Sequence, residues 1–190
     1  RFTFLRQNFI YLMQNLNFLK INAVDGILAD LGVSSHQFDN KERGFSYDSN
    51  YDLDMRMDRS QELNAIKILN TYSAKSLADL FYKNGDLKNS RNISKLICEY
   101  REKNKIINAK QLNESLKTLL NKGYENKFLA RVYQSIRIEV NNEIDYLKKL
   151  LVQIPSILNK KGITSIITYH STEDRIVKRF FKNGCFNNEP

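Results

Sequence analysis

The fold is decided by the stretch Val24 to Gln37, which reads VDGILADLGVSSHQ. A short apolar run that ends in an acid, as residues 24–30 do, is typical of a buried β-strand. The polar, glycine-bearing segment 31–58 that follows is too long for an ordinary connection, and long ordered loops in compact domains are usually functional. We therefore expect a strand whose carboxyl end leads directly into a functional loop.

Outward from this stretch the pattern changes twice. Apolar residues recur at helical spacing throughout residues 59–141. Strand character returns after Gly162, and a further helix begins near Ser171, which has capping-box spacing with Asp174. This order predicts an α/β domain, residues 1–58 and 142–190, that is interrupted by an inserted all-helical domain, residues 59–141.

Composition narrows the class of protein. The 190 residues are 42% hydrophobic, enough for one core and a small second lobe, and no apolar run approaches the roughly 20 residues of a membrane helix. The net charge of +9 favours a polyanionic partner such as RNA, although a lysine excess is also typical of AT-rich genomes. Two distant cysteines and two histidines predict neither a disulfide framework nor a metal site, which fits the cytoplasm.

The first candidate site follows the predicted strand. Ligands of open α/β sheets bind outside the carboxyl ends of the strands, and Asp30 stands at such an end. Gly32 permits close approach to the backbone, and Ser34, Ser35 and Gln37 offer neutral hydrogen-bonding groups. The alternative is that the Asp and Ser residues cap a turn or a helix.

Two further segments have an unusual pattern. His170 also follows a strand, where it could orient a polar substrate or accept a proton; a capping turn, with Glu173 in solvent, is the alternative. The alternating polar residues of segment 134–143 predict a hydrogen-bonded seam between the helical lobe and the α/β core.

Five segments together resemble one family, the bacterial 16S ribosomal RNA cytosine-N4 methyltransferases. They agree with it in order and approximate spacing, and the resemblance covers nearly the whole chain. The segments are residues 24–37, 43–46, 53–58, 134–143 and 169–178. The chain departs from the family pattern at His36, where the family usually has Pro, and at Thr172, where it usually has Leu.

The resemblance implies a Rossmann-like class I methyltransferase core that uses S-adenosylmethionine, with an inserted helical domain that helps to recognise RNA. Its substrate would be a cytosine amine in 16S ribosomal RNA of the small ribosomal subunit. Phe9, Asp30 and Gln37 match residues that line the cofactor site, and His170 matches a strand-end histidine beside the active site. Asp30 and His170 are therefore the catalytic candidates. The substrate-binding candidates are Ser34, Ser35, Arg137 and Asn141.

The expected chemistry is an in-line displacement, in which positioning of the reactants dominates. A hydrogen-bond acceptor aimed at the cytosine amine would assist the attack, and either Asp30 or a backbone carbonyl near Leu31 or Ser34 could supply it. The base must also be unstacked to react. Tyr169 and Phe45 are candidates to stack on it, with core packing as the alternative role for each.

The seven glycines include no glycine-rich first motif of the kind that holds the cofactor in this family, and the family's basic C-terminal segment is not found either. We therefore expect this chain to be a fragment that by itself binds S-adenosylmethionine poorly. Two other classes stay open. One is an amino-methyltransferase for DNA or another RNA; the other is a non-enzymatic RNA-binding remnant.

Overall fold

The computed structural model describes residues 2–47 and 50–186. They fold into two compact units. An α/β unit contains the residues through Gly32 and those from Glu143 onward, and a helical unit contains Val33–Asn142. The mixed α/β class predicted from the sequence is confirmed.

The elements follow one another along the chain. In order they are α1 (Leu12–Phe18), β1 (Val24–Asp30), α2 (Ser35–Asp39), α3 (Ala65–Thr71), α4 (Ala74–Gly85), α5 (Ser90–Arg101), α6 (Ala109–Ser115), α7 (Glu125–Asn141), α8 (Glu143–Ile157), β2 (Leu158–Ile167) and α9 (Ser171–Asn183). Single 3₁₀ turns lie at Phe9–Tyr11, Lys41–Arg43 and Lys117–Leu119.

In the α/β unit, β1 and β2 pair in parallel, with Gly26 opposite Ile163 and Asp30 opposite Ile167. One face of this sheet packs against α8 and α9, where Leu147, Leu151 and Ile154 form the buried centre. The other face is open within the described residues: Leu28 and Ile163 are 73% and 71% exposed. The strand predicted at residues 24–30 is therefore present, but it is buried on one face only.

The helical unit has the larger core, built around side chains such as Phe81, Ile97, Leu112 and Ile136. Its helices α4, α5 and α7 pack against one another. Side-chain oxygens of residues preceding the helices accept hydrogen bonds from free N–H groups of the first turn, which explains where α3, α4 and α6 begin. Among the described residues no helix is both long and apolar enough to cross a bilayer.

The helical unit begins earlier than the sequence predicted, at Val33 rather than after residue 58. The reason is the loop that precedes α3, whose residues Phe45, Leu53 and Met55 are buried in the core of the helical unit. Phe45 therefore has the core-packing role that the sequence left as the alternative to base stacking. The Arg43 guanidinium supports the loop by donating to the Arg56 carbonyl oxygen at 2.7 Å.

Candidate active site

Two polar side chains meet at the carboxyl ends of β1 and β2. The Tyr169 hydroxyl donates to Asp30 Oδ1 at 2.7 Å, across 139 residues of sequence. Asp30 lies opposite Ile167, and Tyr169 follows two residues later on the same exposed face. The hydrogen bond to Asp30 raises the pKa of Tyr169 above its ordinary value, and desolvation and the charges of Asp30 and Glu173 add to that effect.

Gly32 lies beside the Tyr169 ring, and its backbone conformation is one that favours glycine. Its φ of +88° lies in the left-handed region, and a Cβ there would stand 3.4 Å from the Tyr169 ring. The close approach of a ligand to the Gly32 backbone stays a prediction; in the structure its neighbour is the Tyr169 ring.

The turn after β2 is held by a buried carboxylate. Glu173 is only 2% exposed, and its Oε2 accepts a hydrogen bond from the Tyr169 backbone N–H at 3.1 Å. The sequence left a solvated Glu173 as one interpretation, and the structure contradicts it. The backbone of Tyr169 is therefore fixed from inside the unit while its side chain reaches Asp30.

His170 is the N-cap of α9, a position that the sequence pattern predicted for Ser171. Its Nδ1 accepts a hydrogen bond from the Glu173 backbone N–H at 3.3 Å. Because Nδ1 accepts, the proton of the neutral ring is on Nε2, which lies 3.2 Å from Glu173 Oε1 but without hydrogen-bond geometry. His170 therefore has the capping role that the sequence left open for this turn.

The atoms of Glu143, His170 and Glu173 that could coordinate a metal ion lie within 4.8 Å of one another. The hydrogen bond at His170 Nδ1 argues against that role, because a protonated Nε2 has no lone pair for a metal. His170 and Glu173 are better explained as the polar pair that holds the turn after β2.

A cavity of about 420 Å³ lies beside β1 in the α/β unit. Phe9 and Asp30 both line it, together with apolar side chains of which Leu12, Leu16 and Ile27 are examples. The 3₁₀ turn that carries Phe9 is secured in the same unit, since Gln153 on α8 donates to the Ile10 carbonyl and accepts from the Met13 N–H. Two residues that the sequence assigned to cofactor binding are thus brought together at one cavity.

The other candidates after β1 belong to the helical unit. Ser34 and Gln37 form a capping box at α2: Ser34 Oγ accepts from the Gln37 N–H at 3.3 Å, and Gln37 Oε1 accepts from the Ser34 N–H at 3.0 Å. Ser35 is the exposed first residue of that helix. The capping alternative noted for this segment therefore describes Ser34 and Gln37 in the structure.

Arg137 and Asn141 lie on α7. Arg137 is half-buried. Asn141 is 5% exposed, and its amide accepts from the Met57 N–H at 2.7 Å and donates to the Met55 carbonyl at 2.8 Å. These contacts lie inside the helical unit, between α7 and the loop that precedes α3, so the seam predicted between the helical lobe and the α/β core stays a prediction.

Two residues escaped the sequence prediction as members of the site. The sequence predicted base stacking or core packing for Tyr169, and it left Glu173 as a solvated residue of a capping turn. A signal existed for Tyr169, because two strand ends in a parallel pair lie side by side. No sequence signal distinguished the buried Glu173 from the exposed charges around it.

The chain is similar to proteins of one known family. The model of the MraW methylase family matches residues 1–189. Curated relatives named Ribosomal RNA small subunit methyltransferase H match the whole chain at 49% identity in Christiangramia forsetii and 50% in Flavobacterium psychrophilum. A relative of the same name in Bacteroides fragilis is 46% identical over 96% of the chain. The chain spans 63%, 65% and 60% of these relatives. With a family model matched over almost its entire length, the chain belongs to the MraW methylase family.

Proposed function

We propose that this protein transfers a methyl group from S-adenosylmethionine to the N4 amine of a cytosine in 16S ribosomal RNA of the small ribosomal subunit. Family membership and the names of the relatives support the reaction class and the substrate. The observation that carries the proposal for this chain is that Phe9 and Asp30 line one cavity beside β1. A 16S ribosomal RNA substrate also implies that the protein acts in the cytoplasm.

The cavity suits part of the cofactor. Its volume of about 420 Å³ falls within the roughly 300–1,000 Å³ typical of small-molecule sites. Phe9 offers an aromatic surface for a planar base, and the Asp30 carboxylate offers a negative charge to a cationic or hydroxyl-bearing group. When bound, S-adenosylmethionine supplies an electrophilic methyl group on a positively charged sulfur.

Asp30 is our candidate for the group that assists the attacking amine. The lone pair of cytosine N4 is delocalised into the ring, so a carboxylate that accepts an amine hydrogen makes the nitrogen a better nucleophile. Oδ1 of Asp30 already accepts from Tyr169, which leaves Oδ2 as the acceptor for the amine. We assign His170 to holding the turn after β2 rather than to moving a proton, because its Nδ1 caps α9 and its side chain is only 6% exposed.

We further propose that the α/β unit is part of a Rossmann-like class I methyltransferase core, with the helical unit inserted between Gly32 and Glu143. The helical unit would contact RNA, and the net charge of +9 supports a polyanionic partner. Exposed Ser35 and half-buried Arg137 are the RNA-contact candidates that the structure favours. Gln37 keeps amide donors for the cofactor, whereas the buried Asn141 is better explained as a structural residue.

The test is transfer of labelled methyl groups to small ribosomal subunits that lack the modification, using protein expressed from the complete open reading frame. Asp30→Ala should lower kcat about 100-fold or more, because it removes the acceptor for the amine. The matched control is Asp25→Ala, which removes an exposed carboxylate from the same strand. Asp25 bonds only the Asn159 amide among the described residues and should be dispensable.

Label on cytosine N4 with the wild type and with Asp25→Ala, but not with Asp30→Ala, supports both the function and the role of Asp30. A folded wild type that transfers no label refutes the methyltransferase proposal. The RNA-binding alternative is then tested by measuring the affinity of the same protein for 16S ribosomal RNA at several salt concentrations.

A further inference from the structure

We propose that Tyr169 is a positioning residue for Asp30: its hydroxyl holds Oδ1, which leaves Oδ2 as the acceptor for the methyl-accepting amine. This inference rests on the proposed function, and it assigns a role in that reaction to a residue outside the catalytic pair predicted from the sequence. It is carried by three contacts, which fix the backbone, the ring and the hydroxyl of Tyr169.

The backbone contact comes from the buried side of the unit. The Glu173 carboxylate accepts the Tyr169 N–H at 3.1 Å, and Glu173 is itself almost fully buried. The next residue, His170, caps α9. The start of the Tyr169 side chain is therefore anchored to α9, so the direction in which the side chain leaves the strand is set by packed structure.

The ring contact comes from Gly32. The Tyr169 ring lies beside this residue just after β1, at van der Waals distance from where a Cβ would stand, and the positive φ of Gly32 shapes the backbone there. Hydrophobic burial does not explain that position, because Tyr169 remains 65% exposed. The ring instead acts as a spacer that brings a hydroxyl from the end of β2 to the end of β1.

The hydroxyl contact then orients Asp30. An exposed carboxylate without a partner rotates among several side-chain conformers, and most of these would not direct an oxygen to the reacting amine. The bond of 2.7 Å from the Tyr169 hydroxyl restricts that rotation. A tyrosine of ordinary pKa, about 10, is protonated throughout the neutral range, and the contact with Asp30 raises the pKa of Tyr169 further, so the phenol donates there.

The test is Tyr169→Phe in the complete protein, which keeps the ring against Gly32 and removes only the hydroxyl. We expect kcat to fall about 10-fold. Misplacing a reacting group can lower the rate by as much as ~100-fold, so this loss is of the expected size. The KM values for S-adenosylmethionine and for small subunits should stay within about 2-fold, because Oδ2 and the cavity are retained. The matched control is Tyr124→Phe, the same change at a tyrosine that is 70% exposed in the helical unit.

A second measurement tests the contact without any catalysis. Tyrosine labelled with ¹³C at the ring Cζ is titrated by NMR, and the Tyr169 signal is identified by its loss in Tyr169→Phe. In the wild type Tyr169 should titrate above the ordinary tyrosine value of about 10. In Asp30→Ala its pKa should fall toward that value, because the hydrogen bond and the negative charge of Asp30 are removed.

The two measurements separate the ways in which the inference can fail. If Asp30→Ala leaves the pKa of Tyr169 unchanged, the hydrogen bond does not exist in solution and the inference is overturned. If the pKa falls but Tyr169→Phe retains the wild-type kcat, the bond exists and has no positioning role. A wild type that transfers no methyl group refutes the proposed function together with the role of Tyr169 in it, whereas the titration still shows whether the bond forms.

Discussion

Asn141→Ala distinguishes a structural role of Asn141 from the substrate-binding role predicted from the sequence. Its amide joins α7 to the loop that precedes α3 by bonding the backbone at Met55 and Met57. A third bond runs from its Nδ2 to the Arg137 carbonyl one turn earlier. With 5% of the residue exposed, water cannot readily replace the amide once it is removed.

The expected loss of stability follows from counting the groups that are left without a partner. Alanine leaves the Met57 N–H and the Met55 carbonyl unsatisfied, and each such buried group costs about 1–3 kcal/mol. The Arg137 carbonyl adds little, because it lies inside α7 where main-chain hydrogen bonding also serves it. Alanine is the better helix former by at most about 0.7 kcal/mol. The free energy of unfolding should therefore fall by roughly 2–5 kcal/mol.

Urea unfolding followed by circular dichroism measures this change. The matched control is Asn126→Ala, the same substitution at an exposed position in the first turn of α7, which should alter stability by less than about 0.5 kcal/mol. If both variants unfold at the wild-type urea concentration, the amide does not clamp the loop. If the Asn141→Ala variant is stable but binds small subunits more weakly, the substrate-binding role predicted for Asn141 is supported instead.

Three further substitutions test the helical unit by chemical denaturation. Gly44→Ala should destabilise it by roughly 2–4 kcal/mol, since φ is +70° and the new Cβ would clash with the Asp52 carbonyl oxygen; wild-type stability would contradict the loop conformation. Tyr133→Phe should cost about 1 kcal/mol at pH 7, because a buried hydroxyl loses its hydrogen bonds. Burial raises the pKa of Tyr133, so its neutral form contributes stability that is lost as the pH rises above about 10, and the variant should show a smaller alkaline decline than the wild type. Burial also raises the pKa of Asp54, but the hydrogen bonds and charge of Arg56 outweigh it and lower the pKa overall. Asp54→Asn should therefore be less stable by about 1–3 kcal/mol at pH 7, and the difference should vanish in acid as the wild-type carboxyl is protonated; a constant difference down to pH 2 would exclude this linkage.

The sequence by itself determined the features that depend on neighbouring residues. Residues 24–30 form β1 with the predicted bounds, and the long periodic segment after residue 58 is helical. These predictions succeeded because the apolar pattern of a strand or a helix repeats over a few neighbouring residues and can be recognised without knowing the fold. The family resemblance also came from local motifs, and the family model that matches residues 1–189 confirms it.

Only the tertiary structure decided which distant groups meet. Segment 33–58 belongs with the helical unit because Leu53 and Met55 fill its core, although the segment follows β1 directly in sequence. His170 rather than Ser171 caps α9, because the backbone is still extended at His170 and its side chain accepts the Glu173 N–H. The contact between Tyr169 and Asp30 spans 139 residues and requires the parallel pairing of β1 and β2. Each of these depends on which surfaces the chain buries against one another, and that choice is made by the packing of the whole unit rather than by the residues at the site.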